Sequence, residues 1–168
     1  MKPEEQDPLN PRRYEPGYGC EPYFAATPSI PSRPQELRLK LPDVTITLKT
    51  DRGVFSYTHV DRGTLVLLRE DLPPKVPGDL LDLGCGYGLV AITLALRYPN
   101  RRVWGIDVNE RAVDLLNENA ARLNLANVQG VTPEQAKGNM FAAIYSNPPV
   151  RVGKQAMREL LIEWLQRL

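Results

Sequence analysis

The stretch Asp79-Leu80-Leu81-Asp82-Leu83-Gly84-Cys85-Gly86-Tyr87-Gly88 decides the fold of this 168-residue chain. It is a short apolar run that opens into a glycine-rich turn. Apolar residues at helical spacing follow the turn, namely Leu89, Ile92, Leu94, Ala95 and Leu96. Strand, glycine turn and helix in this order are typical of the first half of a nucleotide-binding α/β unit.

The spacing of the glycines limits the kind of nucleotide. A dinucleotide site requires G-x-G-x-x-G/A, but the third glycine here comes one residue early, at Gly88, and Leu89 takes the required position. A second strand, Val103-Trp104-Gly105-Ile106, is followed by Asp107. This acid lies about twenty residues beyond the glycine turn, the sequence separation typical of a carboxylate that binds ribose hydroxyls. Asp107 could instead compensate helix charge beside the N-cap Asn109. The pattern predicts a nucleoside ligand without phosphate, such as S-adenosylmethionine.

A third signal is Asn147-Pro148-Pro149-Val150, which follows the apolar run Phe141-Ala142-Ala143-Ile144-Tyr145. Neither proline has an N–H to donate, so the strand must end at Ser146. The stiff turn presents a side-chain amide and unpaired carbonyls, which can accept hydrogen bonds from a flat amino group. A purely structural strand-to-loop turn is the alternative.

Composition excludes several classes of protein. The chain has 42% hydrophobic and 24% charged residues, an ordinary globular balance for one domain. It has no apolar run long enough to cross a membrane and no signal-peptide core, and Cys20 and Cys85 are too few for a disulfide framework or metal site. These features predict a cytoplasmic protein without a structural metal.

The order of the patterns predicts the domain organisation. We expect residues 1–22 to form a proline-rich, disordered tail. We expect residues 23–168 to form one domain with an extension (23–75) and a cofactor-binding core (76–168). In the extension, alternating leucines predict a β-hairpin, and residues 64–70 a short helix. In the core, strands near 79–83, 103–107, 127–130 and 141–146 predict a parallel α/β sheet. A final helix from about Gly153 places on one apolar face Met157, Leu160, Leu161, Trp164 and Leu168.

These residues together resemble the class I S-adenosylmethionine-dependent methyltransferases of the methyltransferase small domain family, which includes 16S ribosomal RNA guanine-N2 methyltransferases. The resemblance runs from about Tyr23 to the C-terminus. Besides the glycine turn, it is carried by Phe24-Ala25-Ala26-Thr27-Pro28-Ser29, Gly53-Val54-Phe55-Ser56, Val60-Asp61-Arg62-Gly63-Thr64, Asp107-Val108-Asn109-Glu110-Arg111-Ala112 and Asn147-Pro148-Pro149-Val150-Arg151-Val152-Gly153-Lys154. It implies a Rossmann-like fold and a methyltransferase acting on an exocyclic amine.

The resemblance also assigns expected roles. Asn147, Pro148 and Pro149 would form the catalytic turn. The cofactor would be held by Asp61, Gly63, Asp82, Gly84, Gly86, Gly88, Asp107 and Asn147. The RNA substrate would contact Val150, Arg151 and Lys154. Arg151, Lys154 and Arg158 are cations suited to RNA phosphates even though the net charge is only +1, although Arg158 could simply face solvent.

Three departures from the family pattern qualify the resemblance. The chain ends at Leu168, before the strands that complete the family's sheet, which leaves the fourth core strand at an edge. Truncation is the favoured explanation; pairing with a partner and coverage by the N-terminal hairpin are the others. The usual acid after the third core strand is absent, so Thr132 or Glu134 would meet the adenine. Val150 replaces an aromatic that could stack on a base.

Three functions therefore compete. The first is guanine-N2 methylation of ribosomal RNA, of the 16S species, which the motifs above favour. The second is methylation of another planar amine, a protein glutamine or adenine N6. The third is a catalytically silent protein of the same fold. The sequence leaves the target nucleotide and the oligomeric state open.

Overall fold

The computed structural model describes residues 26–70, 72–147 and 154–168, without the side chains of Lys154, Ala156 and Met157. The predicted tail (residues 1–22) lies outside the described residues. So do four predicted site residues, namely Pro148, Pro149, Val150 and Arg151.

Strands and helices follow the predicted order. An N-terminal hairpin is followed by one helix and then by an alternating core. The elements are β1 (Gln35–Lys40), β2 (Thr45–Thr50), α1 (Arg62–Arg69), β3 (Leu80–Leu83), α2 (Leu89–Arg97), β4 (Val103–Ile106), α3 (Glu110–Arg122), β5 (Val128–Val131), a 3-10 helix (Pro133–Ala136), β6 (Ala143–Ser146) and α4 (Lys154–Leu165).

The core strands form one parallel four-stranded sheet in the order β5-β4-β3-β6. Strand β3 lies inside this sheet and is buried along its whole length, which explains why three of its four residues are leucine. Parallel pairing brings the carboxyl ends of β3, β4 and β6 to the same edge of the sheet. The glycine turn, Asp107 and Asn147 follow those three strands, so all three predicted features meet there. The predicted α/β fold is confirmed.

Each face of the sheet packs against different elements. On one face, Leu80, Val103 and Val128 join the buried residues of α2 and α3. On the other face, Leu81 and Ile106 pack with Phe141 and Trp164, the latter from α4. None of the helices within residues 26–70, 72–147 and 154–168 is long and apolar enough to cross a membrane.

The N-terminal hairpin packs beside α3. Strands β1 and β2 pair antiparallel with Leu39 opposite Ile46, as the alternation predicts. Buried Asn119 of α3 accepts a hydrogen bond from Lys49 N–H (2.8 Å) and donates to Lys49 O (2.8 Å) and Tyr87 O (3.0 Å). The hairpin is therefore fastened to the α2/α3 face, which contradicts the suggestion that it covers the edge strand β6.

Two other local predictions need correction. Helix α1 begins at Arg62 rather than Thr64, because Asp61 is its N-cap and accepts from Thr64 N–H at 3.1 Å. On α4, Trp164 is buried as predicted, but Leu168 is 57% exposed. Leu168 lies beyond the end of α4, so helical spacing does not carry it onto the buried face.

Candidate active site

An open cleft lies at the carboxyl ends of β3 and β6. It contains about 410 Å³ of empty space, including the part open to solvent. Its lining brings together residues from three segments that are far apart in sequence. They are Phe55, Ser56, Asp61, Thr64, Asp82, Gly84, Cys85, Gly86, Tyr87, Leu89, Val90 and Asn147.

The glycine turn leaves room for a ligand against the backbone. Gly84 has φ +80°, a conformation that favours glycine, and a Cβ added there would meet no atom within 4 Å. The turn is held from below, because Gly84 N–H and Cys85 N–H both donate to Ile106 O, at 2.8 and 3.0 Å. The open space and the fixed backbone fit a flat nucleoside ligand lying across the turn.

Asp107 supports the turn from the neighbouring strand end. One carboxylate oxygen accepts from Gly86 N–H (2.9 Å) and the other from Asn109 N–H (3.0 Å). Burial raises the pKa of Asp107, while the hydrogen bonds from Asn109 and Gly86 oppose that rise. Asp107 is adjacent to the cleft without being one of its lining residues. Its position fits a carboxylate that fixes the turn and has capacity to accept further hydrogen bonds.

Asp82 has a structural task in the cleft floor. Gly88, the N-cap of α2, has no side chain to cap the helix, and Asp82 Oδ2 accepts from Ala91 N–H at 2.9 Å in its place. The side chain is only 2% exposed. Burial raises the pKa of Asp82 to about 7, and the nearby Asp107 charge adds to the rise, while the Ala91 hydrogen bond opposes it.

Asn147 is linked to the start of α1 across 86 residues of sequence. Its Nδ2 donates to Asp61 Oδ2 (2.8 Å) and to Thr64 Oγ1 (2.9 Å). Both amide hydrogens are used by these two acceptors. Among the described residues no donor is recorded for Asn147 Oδ1. The arrangement therefore fixes the orientation of the amide with its oxygen available as an acceptor.

Gly63 makes this close approach possible. A Cβ added to Gly63 would lie 2.8 Å from Asn147 Oδ1 and 2.9 Å from Asp61 Oδ2, closer than side chains pack. Any larger residue would push the two polar groups apart. Asp61 lines the cleft and Gly63 lies beside Asp61 and Asn147, while their predicted contact with a cofactor stays a prediction.

Sequence reasoning missed seven residues of the cleft lining, namely Phe55, Ser56, Thr64, Cys85, Tyr87, Leu89 and Val90. Phe55 and Ser56 lie in the turn after β2, where Ser56 has φ +53°; Thr64 holds Asn147; and Tyr87 is buried within the glycine turn. Burial raises the pKa of Tyr87 to about 12, and the charge of Asp61 adds to the rise. The segment Gly53-Val54-Phe55-Ser56 is the sequence signal for Phe55 and Ser56, but on its own it indicates the family and not a place in the cleft.

Thr132, Glu134 and Arg158 are not among the described residues that line the cleft. Thr132 forms a capping box with Gln135 at the 3-10 helix, and exposed Glu134 lies beside it. Hydrogen bonds from its own backbone and from Thr132 lower the pKa of Glu134. Lys154 opens α4, and Arg158 is exposed on it. Across the described ranges, no three His, Cys, Asp or Glu side chains are grouped so that they could hold a metal ion.

Comparison with known families places most of the chain in one group. The sequence model of the methyltransferase small domain family matches residues 45–167. This range contains the hairpin's second strand, the glycine turn, Asp107 and Asn147.

The chain is also similar in sequence to individual members of known protein groups. The chain is 38% identical over 144 residues to the uncharacterized protein YbxB of Bacillus subtilis, covering 83% of this chain and 72% of YbxB. It is 36% identical over 149 residues to ribosomal RNA small subunit methyltransferase C of Ectopseudomonas mendocina, covering 85% of this chain and 44% of the relative. A shorter match, 43% identical over 93 residues, links it to the release factor glutamine methyltransferase of Vibrio cholerae, over 53% of this chain and 32% of that protein.

A solved structure extends the likeness to three dimensions. The T. thermophilus 16S rRNA N2 G1207 methyltransferase (RsmC), in complex with AdoMet and guanosine, superposes with a TM-score of 0.70 at 27% identity. The match covers 84% of this chain and 41% of the other. The chain therefore spans less than half the length of the ribosomal RNA methyltransferases that it resembles.

Proposed function

Since the chain belongs to the methyltransferase small domain family of S-adenosylmethionine-dependent methyltransferases, we propose that it methylates the exocyclic N2 amine of a guanine in ribosomal RNA, in the 16S species. The observation that carries this proposal is the fixed amide of Asn147. Its hydrogens are held by Asp61 and Thr64, so its oxygen is the group left to accept a hydrogen bond from a ligand in the cleft. An acceptor suits an amino group, which has hydrogens to donate.

The glycine turn would bind the cofactor. Gly84 and Gly86 would lie against it with their backbone, and Gly88 would end the turn. Asp107 would accept hydrogen bonds from the ribose hydroxyls, a role that its position after β4 favours. Asp82, buried beneath the turn, would keep α2 in position while facing the ligand.

The reaction needs alignment more than acid–base catalysis. When bound, S-adenosylmethionine supplies a methyl group on a sulfonium, and its sulfur keeps the electron pair of the breaking S–CH3 bond as the N–CH3 bond forms. Asn147 Oδ1 and the Pro148 carbonyl would accept the two amino hydrogens of the guanine. These bonds localise the nitrogen lone pair and stabilise its developing positive charge, and one amino proton is then lost to solvent.

The nucleic-acid side of the site would follow the same turn. Pro149 and Val150 would shape the pocket for the base, while Arg151 and Lys154 would bind phosphates. A guanine in structured RNA must first be unstacked, at a cost of a few kcal/mol. The likeness to ribosomal RNA small subunit methyltransferase C and to RsmC supports this choice of substrate.

A methyl-transfer assay with Asn147 variants tests the proposal. Purified protein is incubated with 30S subunits lacking the modification and with isotopically labelled S-adenosylmethionine. Asn147→Ala should lower kcat by about 10²-fold or more, because it removes a preorganised group that binds the reacting amine. Gln155→Ala, an exposed residue of α4, is the matched control and should retain wild-type kcat. Equal rates for wild type and Asn147→Ala would contradict the proposed role.

Calorimetric titration with S-adenosylmethionine separates an enzyme from a silent protein of the same fold. The proposal requires saturable binding by the wild-type chain. Absence of any binding heat, with no thermal stabilisation by the cofactor, would favour the silent protein.

The second candidate is methylation of another planar amine. The 43% identity with a release factor glutamine methyltransferase over 93 residues specifically favours it. An adenine N6 would make the same hydrogen bonds to Asn147. Offering release-factor protein and 30S subunits in parallel separates the candidates, since labelled protein, or label in N6-methyladenosine of the RNA, would support the second.

A further inference from the structure

We infer that Asp61 and Thr64 are positioning residues that set the orientation and polarity of the Asn147 amide; this inference rests on the function proposed above. An asparagine amide can present either its oxygen or its NH2 group to a substrate, and only the oxygen can accept from an amine. What selects the orientation is therefore part of the site.

Two acceptors select the orientation of Asn147. Asp61 Oδ2 lies 2.8 Å and Thr64 Oγ1 lies 2.9 Å from Asn147 Nδ2. If the amide turned over, its oxygen would face the Asp61 carboxylate, which accepts hydrogen bonds and has none to donate. The flipped state is thus disfavoured by repulsion and by the loss of two hydrogen bonds.

The surroundings of Asp61 and Thr64 keep both residues beside Asn147. Asp61 is fixed because the same Oδ2 caps α1 by accepting from Thr64 N–H at 3.1 Å. Thr64 is 8% exposed. Gly63, between them in sequence, lacks the side chain that would separate Asp61 from Asn147.

The charge of Asp61 has a further effect on the amide. A carboxylate that accepts a hydrogen bond from the amide nitrogen polarises the amide, because hydrogen bonds in a chain polarise one another. The amide oxygen becomes more negative as a result. Asn147 Oδ1 then accepts more strongly from an amine on which positive charge develops. Asp61 thus acts through Asn147 rather than on the substrate itself.

The substitutions Asp61→Asn and Thr64→Val test the inference while preserving the fold. Asparagine caps helices as well as aspartate does, so Asp61→Asn keeps α1 but removes the charge. We expect kcat for methyl transfer to fall about 10- to 100-fold for Asp61→Asn, the range for hydrogen bonds to charged groups, and about threefold to tenfold for Thr64→Val. For both variants, the KM for RNA and the Kd for S-adenosylmethionine should stay within about twofold of wild type. Their Tm should stay within about 2 °C of wild type. Thr64→Ser restores the hydroxyl and should restore kcat, and Asp114→Asn, exposed on α3, is the charge-matched control.

A spectroscopic arm does not depend on activity. In a ¹⁵N–¹H spectrum, the side-chain NH2 of Asn147, assigned with Asn147→Ala, should exchange slowly with solvent in the wild type and at least tenfold faster in Asp61→Asn. Wild-type exchange and wild-type kcat in Asp61→Asn would overturn the inference. A weakened Kd for S-adenosylmethionine with unchanged kcat would also overturn it and make Asp61 a cofactor ligand. Absence of amine methylation by the wild type would instead refute the proposed function, and the exchange measurement would still decide the Asp61–Asn147 link.

Discussion

Replacing Asp82 by asparagine should remove a pH-dependent loss of stability. Asp82 has an ordinary pKa of 3.8 and a folded pKa of about 7, chiefly because of burial. Between those values the folded state holds a proton that the unfolded state has released, so the free energy of unfolding falls as pH rises. For a group with these two pKa values, stability should decrease by roughly 2.5 kcal/mol between pH 5 and pH 8.

Asparagine keeps the helix cap and removes the titration. Its side-chain oxygen can still accept from Ala91 N–H, so the N-terminus of α2 stays satisfied. At pH 5 the folded Asp82 holds its proton while the unfolded side chain is ionised, so Asp82→Asn should already be the more stable by about 1.7 kcal/mol. Between pH 5 and pH 8 this advantage of Asp82→Asn should grow by about 2.5 kcal/mol, or by about 5 to 10 °C in Tm.

Urea unfolding of both proteins at pH 5, 6, 7 and 8, without cofactor, measures the difference directly. Burial also raises the pKa of Asp107, but its contribution to the slope is present in both proteins and largely cancels. Asp114→Asn, exposed on α3, should follow the wild-type curve. A constant difference between Asp82→Asn and wild type at all four pH values would refute the reasoning, because the carboxylate would then carry no burial penalty.

Two further predictions concern the neighbours of the site. Gly63→Ala should lower kcat by about 10²-fold because its Cβ would displace Asn147, while Tm should change little because alanine favours helix α1. Steady-state kinetics and a thermal melt test this prediction, and a wild-type kcat would contradict it. Asn119→Ala should cost about 3 kcal/mol in urea unfolding, because it leaves the N–H and O of Lys49 and the O of Tyr87 without their partner. The exposed neighbour Glu118→Ala should cost under about 1 kcal/mol, and equal costs for the two variants would count against this account.

Local patterns predicted the fold well. The glycine turn, the N-cap Asn109 and the alternating leucines of the hairpin each depend on residues a few positions apart. The structure places all of them as predicted, with strand ends shifted by one or two residues. The sequence predicted a parallel sheet, and the observed strand order brings the turn, Asp107 and Asn147 to one edge of it.

The misses depend on contacts between distant segments. Nothing local to Asp61 indicates that it bonds to Asn147, 86 residues away, so the sequence suggested only a place near the cofactor. The packing of the hairpin likewise depends on Asn119, 70 residues beyond Lys49. Leu168 was assigned to a buried face because helical spacing was extended past the end of α4. Such contacts are set by tertiary packing, which periodicity does not encode.

Identification of the methylated product tests the central claim most directly. Ribosomal RNA from 30S subunits incubated with the wild-type chain and S-adenosylmethionine carrying a CD3 group is digested to nucleosides and analysed by mass spectrometry. The account predicts deuterated N2-methylguanosine in the 16S RNA with the wild type and its loss with Asn147→Ala. Label found only in N6-methyladenosine or in protein glutamine, or no transfer by a chain that binds the cofactor, would contradict it.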